Sequence, residues 1–429
     1  LSSDAELHER YKAVLPDWVA PLYKEPISIA GGSGGYITTN GGDRYLDFFG
    51  GVLTTMIGHS EPSVVAAVQE QAGKTFHTST LYLSDPMIEL AEEVAALSGI
   101  PDARVFFTTS GTEANDTALL LASNYRQSNQ MLAMRNSYHG RSFSAMAVTG
   151  HRSWSSSSFS GLNVSFVHGG YRLRSPFREL DDDAYTAACV DDLVQIIDMT
   201  TSGNVGAMIA EPIQGVGGFA VPPDGFFGSM KKVLDAHEIL FIADEVQTGW
   251  GRTGDHFWGY EAHGIVPDIL TFAKGVGNGL SLAGVVARAE VMNTIKATSF
   301  STFGGNPLVA AGGLATLKYL KDNDTQANAL AMGYRLTERL AKVAGSTDWI
   351  AESRGRGLMQ ALEMVHPGGL EPDKDRTAAV VEACKSRGLL VGKGGLYGNV
   401  IRIAPMLNVS AAEIDEGCDA IIGAIADCN

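Results

Sequence analysis

No apolar run in the 429 residues approaches the ~18–20 needed to cross a bilayer, so an ordinary membrane-spanning helix is not expected. Cysteine is also scarce. The four residues, Cys189, Cys384, Cys418 and Cys428, form no C-x-x-C pair and have no histidine at zinc-site spacing, which argues against a metal site and for a reducing compartment. Positive charge is in deficit: 32 Lys and Arg against 48 Asp and Glu leave a formal charge of −16. Binding to nucleic acid depends on a concentrated cationic surface, so no such partner is expected. An anionic small molecule would have to be captured by a few local arginines, because exposed charges are screened beyond ~8 Å at physiological salt. The opening stretch LSSDAELHERYK lacks the apolar centre of a signal peptide. The expected location is the cytoplasm, with a removed organellar leader as the alternative.

Glycine, by contrast, is plentiful. Its 50 residues exceed the usual ~7% share without a collagen-like period, so glycine-rich turns are expected and some should carry function. With ~100–200 residues per domain, the length suggests two or three domains. Residues 1–60 read as an N-terminal arm that joins the small domain. It has a helix to about Val14, a glycine loop at 31–35, and a hairpin in which YITT and RYLDFF flank Asn40-Gly41-Gly42-Asp43. Residues 61–315 read as a large α/β domain with a mainly parallel sheet, because short apolar runs alternate with helical segments. Residues 316–429 read as a smaller α+β domain, with strands at 356–364 and 399–405 and a closing helix from Ser410. The serine cluster at 153–160 reads as a surface loop.

Candidate strands of the large domain lie at 104–108, 131–134, 205–210, 239–243 and 269–273, and each ends at once in polar or glycine residues. Ligands of open α/β sheets sit beyond the carboxyl ends of the strands, so five such endings on one rim would assemble a site. Within SGTEAND, Ser110, Gly111 and Thr112 would open a helix whose free N–H groups suit a phosphate; a plain capping box, Ser110 with Glu113, fits the same spacing. Asp244 ends a buried apolar run and needs a partner, either a cationic ring nitrogen or, as a helix cap, backbone N–H groups. Lys274 ends another run. There its neutral amine would be favoured, as imine formation requires, although most lysines are only solvated surface charges.

The ordered set SGTEAND, SYHGR, EPIQGVGG, IADEVQTGWGRTG, FAKGVGNG and STFGGNP resembles the class III (ω-amino acid) aminotransferases of the pyridoxal-5′-phosphate (PLP) fold-type I superfamily. HTSTLY, HFWGY and RGRGLM look especially like the type-two alanine:glyoxylate subgroup. The resemblance implies a PLP-dependent transferase working in two half-reactions, with Lys274 as the Schiff-base lysine and proton shuttle and Asp244 on the ring nitrogen. It further implies that Ser110, Gly111 and Thr112 hold the phosphate, Tyr138 and Val246 cover the two ring faces, and Gln247 reaches the phenolic oxygen. Thr302 would come from a second subunit, giving a homodimer with shared sites, or a tetramer of such dimers. Arg402 would take the substrate carboxylate, with a structural salt bridge as the rival reading. Glu211 would be a gate that neutralises Arg402, and Val52 would line the substrate pocket. Arg141 departs from the alanine:glyoxylate pattern. It resembles the arginine that related enzymes use for a second carboxylate, which adds 2-oxoglutarate to pyruvate and glyoxylate as acceptors, unless it faces solvent or Glu113. His139 reads as a packing residue and Trp18 as a pocket wall or a core aromatic. Rival activities are a decarboxylase or aminomutase on the same cofactor, and a non-catalytic protein of the same fold.

Overall fold

A computed structural model describes residues 2–428. The arm begins with the helix Asp4–Val14, capped by Ser3 and burying none of its residues. Three strands follow, β1 (Ile29–Ser33), β2 (Tyr36–Thr39) and β3 (Arg44–Asp47), paired antiparallel in sequence order. The glycine stretch at 31–35, expected as a loop, is in large part β1. Gly31 and Gly32 pair with Thr38 and Ile37 through the backbone, which needs no side chain.

Seven strands make the central sheet: β4 (Ala103–Thr108), β5 (Gln130–Met134), β6 (Asn163–Val167), β7 (Ala207–Ala210), β8 (Leu240–Asp244), β9 (Ile269–Phe272) and β10 (Ala283–Arg288). Their spatial order is β4-β10-β9-β8-β7-β5-β6. The strands β6, β5, β7, β8 and β9 are mutually parallel, and β10 runs antiparallel to both of its neighbours. β4 therefore points the same way as β9. All five strands expected from the sequence end on one rim.

Alternate residues of these strands feed two separate cores. Met131, Ala133, Ile209, Ile242 and Ile269 pack with Ala114, Ala118 and Leu121 of the helix Gly111–Arg126 on one face. Leu132, Met134, Met208, Phe241 and Leu270 join the larger core on the other. This period-two division, with every residue of β5, β7, β8 and β9 buried, is what a parallel sheet covered by helices on both faces demands.

The C-terminal part contributes β11 (Ile350–Arg356), β12 (Met359–Met364), β13 (Leu389–Leu390), β14 (Gly392–Gly394) and β15 (Val400–Ile403). One sheet has the order β11-β12-β15-β14, while β13 pairs parallel to β3 and ties the arm to this part of the chain. The run 356–364, expected as one strand, is a tight reversal between two. Gly357 makes the turn with φ +53, in the left-handed region where glycine meets no steric penalty. The closing helix Ala411–Asp427 starts at Ser410 with a full capping box to Glu413. Among the described residues no helix is long and apolar enough to cross a membrane.

Candidate active site

Asp244 is the last residue of β8, and its side chain is only 4% exposed. One carboxylate oxygen accepts from Asn115 Nδ2 and from His139 Nδ1, each at 2.7 Å. The other accepts only from the Val246 N–H two residues on, at 3.2 Å. Asn115 lies in the first turns of the helix Gly111–Arg126; its amide also donates to the His139 carbonyl at 2.8 Å, and its oxygen accepts from the Thr271 hydroxyl at 2.7 Å. Asp244 is thus fixed from two sides and retains acceptor capacity on its second oxygen. His139 has the packing position expected of it, and its Nε2 is buried without a partner.

Lys274 follows the end of β9 and begins the 3₁₀ turn Lys274–Gly277. Its φ of +51 is left-handed, a conformation that costs a side-chain-bearing residue and clusters at functional sites. Burial lowers the pKa of its ammonium; Asp244 and Glu211 oppose that fall, and Arg402 adds to it. The four groups are therefore close enough to feel one another's charge, and the neutral amine is favoured.

Glu211 directly follows β7 and is buried, its carboxyl pushed up to about 7, chiefly by desolvation. Its two oxygens accept the N–H groups of Tyr138 at 2.9 Å and Gly215 at 2.8 Å. Arg402, on β15, donates to the carbonyls of Gly215 at 3.4 Å and Lys393 at 3.2 Å, and its Nε has no partner. Its guanidinium lies 5.0 Å from the Phe49 ring and 5.6 Å from Phe219, and burial lowers its pKa to about 10. Glu211 and Arg402 form no ion pair here, among the described residues; the gate reading has Glu211 neutralise Arg402 only when a substrate carries its carboxylate elsewhere. Two backbone donors already satisfy the glutamate, and carbonyls occupy the arginine; the rival salt bridge of Arg402 is absent as well, among the described residues.

Gln247 is buried with its Oε1 unpartnered among the described residues, and its amide packs directly on Gly215, where a Cβ would stand 2.4 Å from it. Gly111 leaves room of the same kind, but Val246 fills it: a Cβ at Gly111 would lie 3.1 Å from Val246 Cγ1. Ser110 caps the helix through the Glu113 N–H at 3.2 Å, while Glu113 reaches back to Thr109 N at 2.8 Å and not to Ser110, so the capping box is displaced by one residue. Among the described residues, no protein acceptor meets the N–H groups of Gly111 and Thr112.

Tyr138 is half-buried with Trp154 edge-on at 5.2 Å, and burial raises its hydroxyl while Arg141 pulls it down. Arg141 is exposed and faces the Trp18 ring at 5.3 Å, not Glu113. Trp18 is 73% exposed and so is no core residue. Val52 belongs to a run, Gly50 to Leu53, in which every φ is positive; its own is +67. Thr302 is exposed.

PLP fits these residues. Asp244 has a free acceptor edge, Lys274 an enclosed amine, Gln247 an orphaned amide oxygen, and the helix start two free donors. Sequence reasoning passed over Asn115 and Thr271. The only signal was Asn115 inside a motif read for its glycine and hydroxyls.

The sequence pattern of the family Aminotransferase class-III matches residues 19–425. A mitochondrial alanine–glyoxylate aminotransferase 2 homologue of Arabidopsis thaliana is 37% identical over 96% of this chain and 86% of its own. The crystal structure of a thermostable (S)-enantioselective omega-transaminase from Thermomicrobium roseum superposes with TM-score 0.92 at 31% identity, covering 100% of this chain and 99% of the other. A PLP-bound amine transaminase from an uncultivated Pseudomonas species gives 0.90 at 30% identity, covering 97% and 98%.

Proposed function

The chain belongs to the class III aminotransferases, PLP-dependent enzymes that move an amino group from an amino acid or ω-amino acid to a 2-oxo acid, and from that premise we propose how its own residues divide the work. The observation that carries the reading is the cluster at the strand ends, where Lys274, Asp244, Glu211 and Arg402 share one electrostatic environment. PLP, when bound, supplies an electron sink for the pair left on the substrate Cα. Lys274 Nζ would anchor the cofactor and carry the proton from Cα. Asp244, held by Asn115 and His139, would keep the ring nitrogen protonated through its free edge. Val246 and Tyr138 would bound the ring, Gln247 would meet its phenolic oxygen, and Ser110, Gly111 and Thr112 would hold the phosphate.

Arg402 would receive the substrate carboxylate, for which its unpartnered Nε and aromatic surroundings leave a directed donor. Glu211 would sit beside it as a protonatable neighbour, not a locked partner. Val52 and Arg141 would border the substrate, Arg141 taking a second carboxylate when there is one. Alanine is the proposed donor, following the Arabidopsis relative's name, with glyoxylate, pyruvate or 2-oxoglutarate as acceptors.

We also propose a homodimer in which Thr302 completes the partner's phosphate site. Support comes from the exposure of Thr302, Phe303, Leu81 and Leu83, with His77 against Phe303 at 5.0 Å linking the two segments. A reducing compartment, cytoplasm or mitochondrion, suits the free cysteines, three of them buried, and the mitochondrial relative. The test is Lys274→Ala, assayed with L-alanine against the three acceptors. Turnover should fall by about 10³-fold or more with loss of the cofactor's visible band, whereas retained transfer would overturn the assignment.

A further inference from the structure

The loop after β7 carries Glu211 and Gln247's neighbour Gly215, and three of its carbonyls accept donors from the C-terminal sheet. Gly215 O takes Arg402 Nη1 at 3.4 Å, Val216 O takes the Gly395 N–H at 2.9 Å, and Gly218 O takes Arg354 Nε at 2.9 Å. Arg354 makes the shorter of the two arginine bonds. It is also the better anchored: its Nη1 donates to Glu363 at 2.7 Å and to Glu352, and its guanidinium lies 5.2 Å from the Tyr171 ring.

Glu363 is fully buried and further accepts from Tyr171 at 2.7 Å, Arg174 Nε at 3.0 Å and Asn399 at 3.2 Å. Burial alone would raise its carboxyl, but Arg354, Tyr171 and Arg174 together hold it below the usual range. The sheet register explains why both arginines reach one loop. Arg354 pairs with Ala361 and Ala361 with Arg402, so the two lie in one cross-strand row on the same face, about 10 Å apart, with only a methyl between them. Gly218, with φ +96, is the point of closest approach; a Cβ there would stand 2.9 Å from Arg354 Nη2 and 3.0 Å from Val400.

We propose that Arg354 is a positioning residue for the substrate carboxylate, fixing residues 215–218 against the C-terminal sheet so that Gly215 holds both Arg402 and Glu211 in place. Gly215 links the two side chains, since its N–H donates to Glu211 and its carbonyl accepts from Arg402. The proposal rests on the reading of Arg402 as the carboxylate receptor, and the experiment separates the two. The first half-reaction with L-alanine is followed by the change in the cofactor's visible absorbance, with propionate, a carboxylate without an amine, as competitor.

Arg354→Lys and Arg354→Gln are expected to raise the half-saturating L-alanine concentration and the propionate inhibition constant by about tenfold, the equivalent of one misaligned charged hydrogen bond, while the rate at saturation stays within about twofold. Gly218→Ala keeps both arginines and drives the loop off Arg354, so the same selective weakening is expected should Arg354→Gln not fold. A fall in saturating rate without a change in either concentration constant overturns the proposal, because a purely structural role would give that result. Arg402→Gln is the control. If it leaves propionate inhibition unchanged, the carboxylate assignment itself fails; if it weakens propionate and the Arg354 and Gly218 variants do not, only the positioning role fails.

Discussion

The two sides of this site are held in different ways. Around Asp244 the bonds are short and closed into a chain, Thr271 to Asn115 to Asp244 with His139 on the same oxygen, all at 2.7 Å and all buried. Around Arg402 they are 3.2 and 3.4 Å, made to carbonyls, with one donor left over. On the proposed reading the first side would face a cofactor that stays through both half-reactions, so rigidity there would cost nothing later. The second side, as the proposed carboxylate receptor, would have to accept one carboxylate, release it and accept another. Long bonds to neutral acceptors are cheaper to exchange than a salt bridge, whose buried partner would be left uncompensated.

The sharpest way to break this contrast is to cut the rigid side. Asn115→Ala leaves the Thr271 hydroxyl, the His139 carbonyl and one oxygen of Asp244 each short of a partner. Chemical denaturation should report a loss of about 3 kcal/mol, with the single-turnover rate falling in parallel. A smaller effect is expected from Glu211, whose carboxyl is raised from an ordinary value near 4.5 to about 7. The native state then holds a proton that the unfolded state has released, so this group's contribution to stability falls as pH rises from about 4.5 to 7 and is flat above. Glu211→Gln should remove that decline, on the order of 1 kcal/mol per pH unit, in urea titrations across pH 5 to 8. A wild-type curve that rises over this interval, with the variant parallel to it, would contradict the raised carboxyl.

Arg141 tests whether the adjustable side extends outward. It lies against an exposed tryptophan and has no carboxylate partner among the described residues, so Arg141→Ala should raise the KM for 2-oxoglutarate by about tenfold and leave that for pyruvate nearly unchanged; equal effects on both would remove it from the substrate. The least effect is expected at Val52. Relief of its left-handed strain, about 1–2 kcal/mol, is offset by the extra freedom glycine brings to the unfolded chain, about 0.5–1 kcal/mol, and the residue is 37% exposed. Val52→Gly should thus shift the denaturation midpoint only slightly, and upward.

The rigid side was also the legible one. Asp244 and Lys274 announce themselves because a charged residue closing a short apolar run has few reasons to be there, and the parallel sheet brings such endings together. The strand β10 went unread because AGVVAR follows a glycine-rich turn, and nothing in its composition marks an antiparallel return. Glycines misled in both directions. Gly31 and Gly32 join a strand through backbone pairing alone, and Gly357 breaks what reads as a single strand. The relation of Glu211 to Arg402 lay beyond the sequence, since it depends on which of several nearby carbonyls and N–H groups each finds first. Asn115 was hidden for a related reason: its partners come from three other segments of the chain, and no spacing encodes that.

The reversal after β9 has one more consequence. Because β10 returns alongside β9, with Gly284 opposite Phe272, the stretch 273–282 is tethered at both ends to adjacent rungs of the same ladder. A crossover helix could absorb an inserted residue by adding to a turn, but this connection holds only the short 3₁₀ turn Lys274–Gly277, with Lys274 itself two residues beyond the ladder. Lengthening it by even one position would either slip the ladder, exchanging Val285 and Val286 between the two cores, or carry the ε-amine of Lys274 off its aim. Of all the connections on this rim, it is the one where natural or engineered insertions should be missing.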